Sequence, residues 1–257
     1  MNKRKRIYNY HGVLVMFVVL KKRTIVLAGL LVISALIVSL SFTRENVPIF
    51  SKSNGRVIVL DAGHGDPDGG AVSKRGTVES DLNLAVAKLL RKQLEDRGYK
   101  VIMTREDENG LYTEKSKSIK EKKKEDMNNR LEIANSSGAD MFVSIHMNLF
   151  ESEKYRGAEV LYSEKFENSM LLAELIQAEL VAIDPENQTR TTKKADGNIF
   201  LLKNAEIPAV LIECGFLSNV DEEKLLKDPV YRKRLASAIC DGIVEYYRSI
   251  QERVKEI

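Results

Sequence analysis

The sequence contains no tryptophan and only two cysteines, five prolines and three histidines among its 257 residues. Cys214 and Cys240 fit no C-x-x-C metal or redox motif, and we interpret both as small buried hydrophobic residues, although the sequence alone leaves a disulfide between them open. The charge is nearly balanced, with 40 basic and 37 acidic residues. This balance excludes the dense basic surface of a nucleic-acid-binding protein, so we expect no nucleic acid among the partners.

One long uncharged stretch lies near the N-terminus. Residues 24–42, TIVLAGLLVISALIVSLSF, contain no charged side chain, and about 20 such residues are needed to cross a bilayer as a helix. Residues 1–23 are rich in lysine and arginine, and the positive-inside rule places them in the cytoplasm. We therefore predict a cytoplasmic basic tail at 1–23, a transmembrane anchor at 24–42 and a polar linker at 43–54.

Two alternatives remain open for this N-terminal region. Ser39 and Ser41 form the small-x-small pair of a cleavage site, so the apolar stretch can be a signal peptide that is removed. Met16 can be the true start, which would leave a short basic leader before the apolar stretch. Under each alternative the domain that follows is exported, and we expect it on the extracytoplasmic side of the membrane.

From residue 55 to residue 251 the sequence alternates between apolar runs and amphipathic segments. Runs typical of buried strands lie at 57–60, 100–104, 141–146, 158–162 and 208–213. Leucine and other apolar residues recur at helical spacing over 80–97, 127–137 and 170–180, and again in a long final helix. This alternation predicts an α/β fold, a single domain with a twisted, mostly parallel sheet flanked by helices, preceded by the N-terminal transmembrane helix.

Two segments of this domain lack a clear periodic pattern. The lysine-rich segment 105–126 has no apolar stripe, and we interpret it as a solvated or mobile loop. Residues 184–198 are polar and contain proline and glycine, which suits a surface loop that could border a groove. We expect a short strand to follow at 199–202.

Ionisable side chains stand where three of the predicted strands end. These are His64, His146 and Glu213, and Glu79 opens the helix after the first strand. The carboxyl ends of parallel strands meet at one edge of a sheet, so these side chains should converge. Two imidazoles and one carboxylate form the ligand set of catalytic Zn²⁺, and a second carboxylate can take a proton from the water that the ion activates. The residues alone do not separate the ligand from the base, so Glu79 and Glu213 could exchange roles.

Each of these residues also has a simpler interpretation. A histidine at a strand end is often only a hydrogen-bonded structural residue, and Glu79 could merely be stabilised by the dipole of the helix that it opens. Glu213 could form an ion pair with an arginine such as Arg130. Asp61 ends the first apolar run. We interpret it as a supporting residue that holds either the loop or a metal-binding side chain in place, and not as a catalyst.

Three segments resemble one known family in the same order along the chain. They are VIVLDAGHGDPDGG at 57–70 with the following Glu79, DMFVSIHMN at 140–148 and PAVLIECGFLSN at 208–219. Together they resemble the zinc-dependent N-acetylmuramoyl-L-alanine amidases of the type 3 class, which have a phosphorylase/hydrolase-like fold. The resemblance covers nearly all of the exported part of the chain.

The resemblance implies a role for each matching residue. His64, Glu79 and His146 would bind one Zn²⁺ ion, Glu213 would be the catalytic glutamate, and Asn148 would help to hold the substrate. The expected reaction is hydrolysis of the amide that joins N-acetylmuramic acid to the L-alanine of the stem peptide, so peptidoglycan is the expected partner. The long lysine-rich insertion at 115–124 departs from the family pattern, which leaves its relation to the substrate open.

A lone catalytic domain behind a short membrane anchor resembles the sporulation branch of this family. Those amidases strip stem peptides before muramic lactam forms in the spore cortex, a step that germination later requires. The expected location is therefore the cell wall or the spore cortex space. A wall hydrolase needs control, so an accessory activator protein is an expected partner.

Two other functions remain compatible with the sequence. A zinc carboxypeptidase acting within the stem peptide would use the same residue types. A catalytically silent protein that binds peptidoglycan without cutting it would need only the groove. Product analysis separates the first from an amidase, and a turnover assay separates the second.

Overall fold

The computed structural model describes residues 7–10, 13–16, 54–184 and 190–255. The chain forms two compact units, Met1–Ile49 and Phe50–Ile257. In the first unit, strand β1 (Ile7–Tyr10) pairs antiparallel with β2 (Val13–Met16). The predicted anchor at 24–42 lies outside the described residues. Within the described ranges, no helix combines the length and the apolar character that a membrane crossing requires.

The second unit is built on a six-stranded sheet with the order β4-β3-β5-β8-β6-β7. Its strands are β3 (Val57–Ala62), β4 (Lys100–Met103), β5 (Met141–Asn148), β6 (Glu159–Tyr162), β7 (Lys193–Lys194) and β8 (Ala209–Phe216). Neighbouring strands are parallel except for β6 and β8, which pair antiparallel. The predicted single α/β domain with a helix-flanked sheet is confirmed, and the sheet is mixed.

Helices cover both faces of this sheet unequally. They are α1 (Glu79–Asp96), α2 (Ile119–Ser136), α3 (Glu167–Ile183), α4 (Phe200–Asn204), α5 (Val220–Lys227) and α6 (Pro229–Lys255). Successive residues of a strand point to opposite faces. Ile58 accordingly belongs to the larger core with α1, α3 and α6, whereas Val59 belongs to the smaller core with α2 and α4. The face with the smaller core is the one that carries the ionisable side chains.

The lysine-rich segment is helical from Ile119 onwards, so the prediction of a loop through residue 126 is wrong for its last part. Ser118 caps the start of α2, because its hydroxyl accepts from the Glu121 N–H at 3.2 Å. The Glu121 carboxylate in turn accepts from the Ser118 N–H at 2.9 Å. This reciprocal pair is a capping box, and its S-x-x-E signal was present in the sequence. The lysines form the solvent face of a helix whose buried stripe is narrow.

Two further expectations about local structure are corrected. Residues 199–202 were expected to form a strand, but the five-residue helix α4 begins at Phe200. A short apolar run cannot be assigned to strand or helix by periodicity alone, which explains the error. Strand β8 continues past Glu213 to Phe216, so Cys214 lies inside the strand rather than at its end. Cys214 and Cys240 are both buried and free, which confirms their interpretation as small hydrophobic residues.

Candidate active site

The four predicted site residues lie at the edge of the sheet where β3, β5 and β8 end. His64 follows β3, His146 lies in β5, and Glu213 lies in the neighbouring strand β8. His146 and Glu213 are register partners, and partners in adjacent strands point to the same face. Glu79 is the first residue of α1. The predicted convergence of the four residues at one sheet edge is therefore present in the fold.

His64, Glu79 and His146 form a compact cluster. Each offers one ligand atom, and these atoms all lie within 4.8 Å of one another. Glu79 Oε1 is 3.3 Å from His64 Nε2 and 2.9 Å from His146 Nδ1. Two ligands of one tetrahedral zinc ion, each 2.0–2.1 Å from the metal, are about 3.3 Å apart. The spacing and the donor set of two nitrogens and one oxygen both fit a single zinc ion.

Two glycines make room for this cluster. A Cβ atom on Gly63 would lie 2.2 Å from His146 Nε2, and a Cβ atom on Gly70 would lie 2.5 Å from Glu79 Oε2. Gly70 also has a φ of +69°, which a larger residue adopts only with strain. Both positions therefore require glycine if the imidazole and the carboxylate are to keep their places.

The Glu79 carboxylate has hydrogen-bond partners on both oxygens. Besides the two imidazoles, Oε1 accepts from the Met147 N–H at 3.2 Å and from Asn83 Nδ2 at 3.3 Å. Oε2 accepts from the Ala71 N–H at 2.8 Å. Burial raises the pKa of Glu79, but hydrogen bonds and charge interactions with His146 and His64 outweigh it and hold the pKa far below its usual value. Glu79 is thus an anion fixed in one orientation.

His64 sits on a backbone that is held in an unusual conformation. Its φ is +61°, in the left-handed region that residues other than glycine seldom adopt. Two buried arginines donate to the three carbonyls around it. Arg105 reaches the carbonyls of Ala62 at 2.8 Å and Gly63 at 3.0 Å, and Arg130 reaches those of Ala62 at 2.8 Å and His64. These bonds fix the loop that presents the imidazole.

Asp61 belongs to the same buried support. Arg130 Nη1 donates to Asp61 Oδ1 at 2.6 Å, and the hydroxyls of Thr104 and Ser144 donate to the same carboxylate at 2.7 and 2.5 Å. Burial raises the pKa of Asp61, but Arg130 and the hydroxyls lower it below the usual value. The structure therefore places Asp61 as a brace of the site. It also pairs Arg130 with Asp61 and Asp126, not with Glu213.

Asp68 orients the His64 ring from the side away from the cluster. His64 Nδ1 lies 3.1 Å from Asp68 Oδ2, and Lys123 of α2 pairs with the other carboxylate oxygen at 2.8 Å. Burial lowers the pKa of His64, but Glu79 and Asp68 raise it above its usual value. A carboxylate on the outer nitrogen of a histidine is the usual support of a metal ligand. Asp68, Arg105 and Lys123 were not predicted from the sequence, where the only local signal was the aspartate four residues after His64.

Glu213 is in a very different environment from Glu79. Its Oε2 is buried and has no hydrogen-bond partner among the described residues. Burial raises its pKa to about 7, with Glu79 and Glu159 adding to the rise while His146 and His64 oppose it. A carboxylate with a pKa near neutrality and one uncommitted oxygen can accept a proton and release it again.

Asn148 lies at the end of β5, where its register partner is Phe216. The pairing of β5 and β8 is irregular between His146 and Asn148, and the Asn148 carbonyl accepts from the Leu217 N–H at 2.7 Å. The backbone of Asn148 thus joins the two strands that carry His146 and Glu213. Its side chain stands on the same edge of the sheet as the cluster.

Comparison with known proteins gives matches across this domain. Residues 58–245 match the family described as N-acetylmuramoyl-L-alanine amidase. The germination-specific N-acetylmuramoyl-L-alanine amidase of Bacillus subtilis (strain 168) is 42% identical over 194 residues, which cover 76% of this chain and 81% of the relative.

Solved structures agree with these matches. The CwlD amidase from Clostridioides difficile, in complex with the GerS lipoprotein, has a TM-score of 0.73 and 46% identity, covering 76% of this chain and 99% of that one. An N-acetylmuramoyl-L-alanine amidase from Clostridium difficile 630 has a TM-score of 0.66 and 31% identity, covering 77% and 99%.

The chain belongs to the N-acetylmuramoyl-L-alanine amidase family. It is a peptidoglycan hydrolase that cleaves the amide between N-acetylmuramic acid and L-alanine. The predicted family and activity are confirmed. The two alternatives, a zinc carboxypeptidase and a silent wall-binding protein, find no support in these matches.

Proposed function

We propose that His64, Glu79 and His146 hold one Zn²⁺ ion and that Glu213 is the general base of the amidase reaction. The contrast between the two glutamates is the observation that carries this assignment. Glu79 is a fully hydrogen-bonded anion between two imidazoles, whereas Glu213 has a raised pKa and an unpartnered buried oxygen. When bound, zinc supplies Lewis-acid polarisation of the amide carbonyl and activation of the attacking water.

Glu213 moves the proton in this mechanism. Its carboxylate accepts a proton from the water that attacks the carbonyl carbon of the N-acetylmuramoyl group. The protonated carboxyl then donates that proton to the amide nitrogen as the carbon–nitrogen bond breaks, which releases the stem peptide with a free L-alanine amine. In the metal-free protein burial raises the pKa of Glu213 to about 7, so its environment favours the protonated carboxyl more than water does, which helps this group to hold the proton between the two steps.

Asn148 is proposed to bind the substrate. It lies two residues after His146, at the end of the same strand, and an amide side chain can donate to a carbonyl and accept from an N–H of the glycopeptide. Asn148→Ala should raise KM for a muropeptide and leave the zinc content unchanged. Asn148→Asp is a second test variant, since it keeps the size and the acceptor oxygen but replaces the donor amide with a negative charge, and a KM raised in both variants would support a donated hydrogen bond.

The experiment that tests the zinc site combines metal analysis with product analysis. The enzyme and its His64→Ala and His146→Ala variants are measured for bound zinc, and their peptidoglycan digests are analysed by mass spectrometry. We expect about one zinc per chain for the unmodified enzyme and products with muramic acid free of L-alanine. Full zinc content in both variants would refute the ligand assignment.

We also propose a place of action in the spore cortex. The support is the 42% identity to a germination-specific amidase. A strain that lacks the protein should form spores whose cortex contains no muramic lactam and which germinate poorly. Normal lactam content in such spores would contradict this assignment.

The membrane anchor and the accessory partner remain proposals of the same kind. Residues 24–42 carry no charge, and we propose that they hold the domain on the outer side of the membrane. Fractionation of the chain with and without residues 1–42 tests this, since only the full chain should sediment with membranes. The related CwlD amidase was solved with a lipoprotein, and we propose an accessory protein for this amidase, to be sought by co-purification from sporulating cells.

A further inference from the structure

We propose that the cavity between α2 and α4 binds the first residues of the stem peptide, with Lys123 as the counter-ion of a peptide carboxylate. The proposal rests on the function proposed above, because it takes the cluster as the place where the amide is cut. The cavity has a volume of about 260 Å³ and is lined by both His64 and His146. A substrate bound at the cluster can therefore continue directly into it.

The inner wall of the cavity is apolar. Phe142 and Leu211 of the sheet, Leu201 and Leu202 of α4 and Met127 of α2 line it. Burial of a sugar ring against such a wall would leave hydroxyl groups without hydrogen bonds, which is costly. A methyl group or a methylene chain fits the same wall without that cost. The cavity thus favours the peptide side of the substrate over the glycan side.

The charged groups deep in the cavity are already paired. Arg130 forms ion pairs with Asp61 at 2.6 Å and with Asp126 at 2.8 Å. The Arg130 cation is therefore already committed to two carboxylates and is not available to a peptide carboxylate. Lys123 differs from them, because its side chain is 49% exposed and its only partner among the described residues is Asp68 at 2.8 Å. A flexible lysine at the rim can turn from Asp68 towards an incoming carboxylate.

The chemistry of the stem peptide matches this order of groups. L-alanine, which follows the cut amide, presents a methyl group. In peptidoglycan the next residue is a glutamate linked through its side-chain carboxyl, so its α-carboxyl group is either a free anion or an amide. An apolar wall followed by a lysine at the rim suits a methyl group followed by a free carboxylate.

The glycan side of the substrate does not match the cavity. A glycan strand continues in both directions from the muramic acid and needs a groove that is open at both ends. Glu213 does not line the cavity, so a peptide bound there leaves the proposed base free to act from β8. The two halves of the substrate would then lie on different sides of the cluster.

Two muropeptides test the proposal. They are identical except that the α-carboxyl group of the second stem residue is free in one and amidated in the other. The zinc-loaded full chain is compared with Lys123→Met and with Lys124→Met, a control that removes the same charge from the next exposed position of α2. We expect Lys123→Met to raise KM for the free-carboxylate substrate by about tenfold, with kcat nearly unchanged. Neither the amidated substrate nor the control variant should show this effect.

A second variant tests occupancy of the cavity. Ile199→Phe adds bulk to a residue that lines it and that is not one of the proposed zinc ligands. We expect a higher KM for both substrates, with unchanged zinc content and melting temperature. An unchanged KM would contradict binding in the cavity.

Three outcomes of the substrate comparison have separate meanings. An equal loss on both substrates in Lys123→Met would show that Lys123 acts only through Asp68 and His64, and it would overturn the proposal. No change on either substrate would overturn it as well. Failure of the unmodified enzyme to cut either muropeptide would instead refute the function proposed above, and the cavity assignment would fall with it.

Discussion

The start of α1 and the end of β8 each bring one glutamate to the same cluster, yet the two carboxylates are in opposite states. Glu79 accepts hydrogen bonds from two imidazoles, two backbone N–H groups and an asparagine. Glu213 has a buried oxygen with no partner among the described residues. Two side chains of the same type thus differ in charge state and in their capacity to take up a proton because their hydrogen-bond partners differ.

The difference follows from where each residue lies in the fold. Glu79 is at the N-terminus of α1, where the helix dipole favours an anion, and the backbone N–H groups that its carboxylate accepts from belong to Ala71 and Met147, outside that helix. Glu213 is inside a strand whose backbone groups are used by the neighbouring strands. Burial without compensating donors raises its pKa to about 7. Four substitutions and one pH titration test this contrast between the two carboxylates.

Loss of the Glu79 charge should have the largest effect. Glu79→Gln removes the anion from between the imidazoles, so we expect zinc content to fall below about a tenth of the unmodified level and activity to fall to background. Metal analysis after dialysis and a peptide-release assay measure both. Full zinc content in this variant would break the distinction between the two glutamates.

Glu213→Gln should give the second largest effect with a different signature. A general base contributes about 10²- to 10⁴-fold to the rate, so kcat should fall by that factor while zinc binding is kept. Zinc affinity and kcat measured on one preparation separate this variant from Glu79→Gln. Retained activity would remove the role assigned to Glu213.

Gly63→Ala should disturb the proposed zinc ligands and leave Glu213 in place. The new methyl group would lie 2.2 Å from His146 Nε2, which forces the imidazole away from Glu79. We expect a loss of zinc affinity of about 10- to 100-fold, measured by competition with a chelator. Gly197→Ala is the control, since nothing lies within 4 Å of its added atom. Equal affinities in the two variants would argue against the crowding.

Arg130→Lys should lower the zinc affinity by a smaller factor. A lysine keeps the charge beside Asp61 but cannot reach the carbonyls of Ala62 and His64 together, so the His64 loop loses part of its support. We expect about a tenfold loss of zinc affinity. The melting temperature of the metal-free protein serves as the control for a general loss of stability. Zinc affinity equal to that of the unmodified enzyme would show that Arg105 alone holds the loop.

The last test concerns pH and probes Glu213 alone. Its pKa is raised from 4.5 to about 7 in the folded metal-free protein, so its contribution to stability is present below pH 4.5 and is lost as the pH rises through 7. Glu213→Gln does not titrate. We expect its stability relative to the unmodified protein to increase by on the order of 2 kcal/mol between pH 4.5 and pH 8. Denaturant unfolding in the presence of a chelator measures this, and a pH-independent difference would contradict the raised pKa.

The sequence was sufficient for the α/β alternation and for the four residues of the site. Buried strands without alternation and the ionisable residues that follow them are local patterns, and the convergence of parallel strand ends is a general rule. The start of α2 was missed although its capping box was readable. The secondary structure of residues 199–202 could not be predicted, because a run of four apolar residues suits a strand and a helix equally.

Only the family resemblance assigned roles to the two glutamates, because the residues taken alone left Glu79 and Glu213 interchangeable for a physical reason. The pKa of Glu79 depends on imidazoles from two other strands, and that of Glu213 depends on the absence of donors around it. Arg105 and Arg130 support His64 from 41 and 66 positions along the chain, as their numbers show. No local pattern encodes such contacts, which arise only when the sheet is assembled.

The most direct test is to locate zinc in crystals of the enzyme by anomalous diffraction at the zinc edge. We expect one peak, about 2.0–2.2 Å from a nitrogen of His64, a nitrogen of His146 and an oxygen of Glu79, with Glu213 outside the coordination sphere. A peak bound by Glu213 in place of Glu79, or no peak beside the two imidazoles, would contradict the assignment.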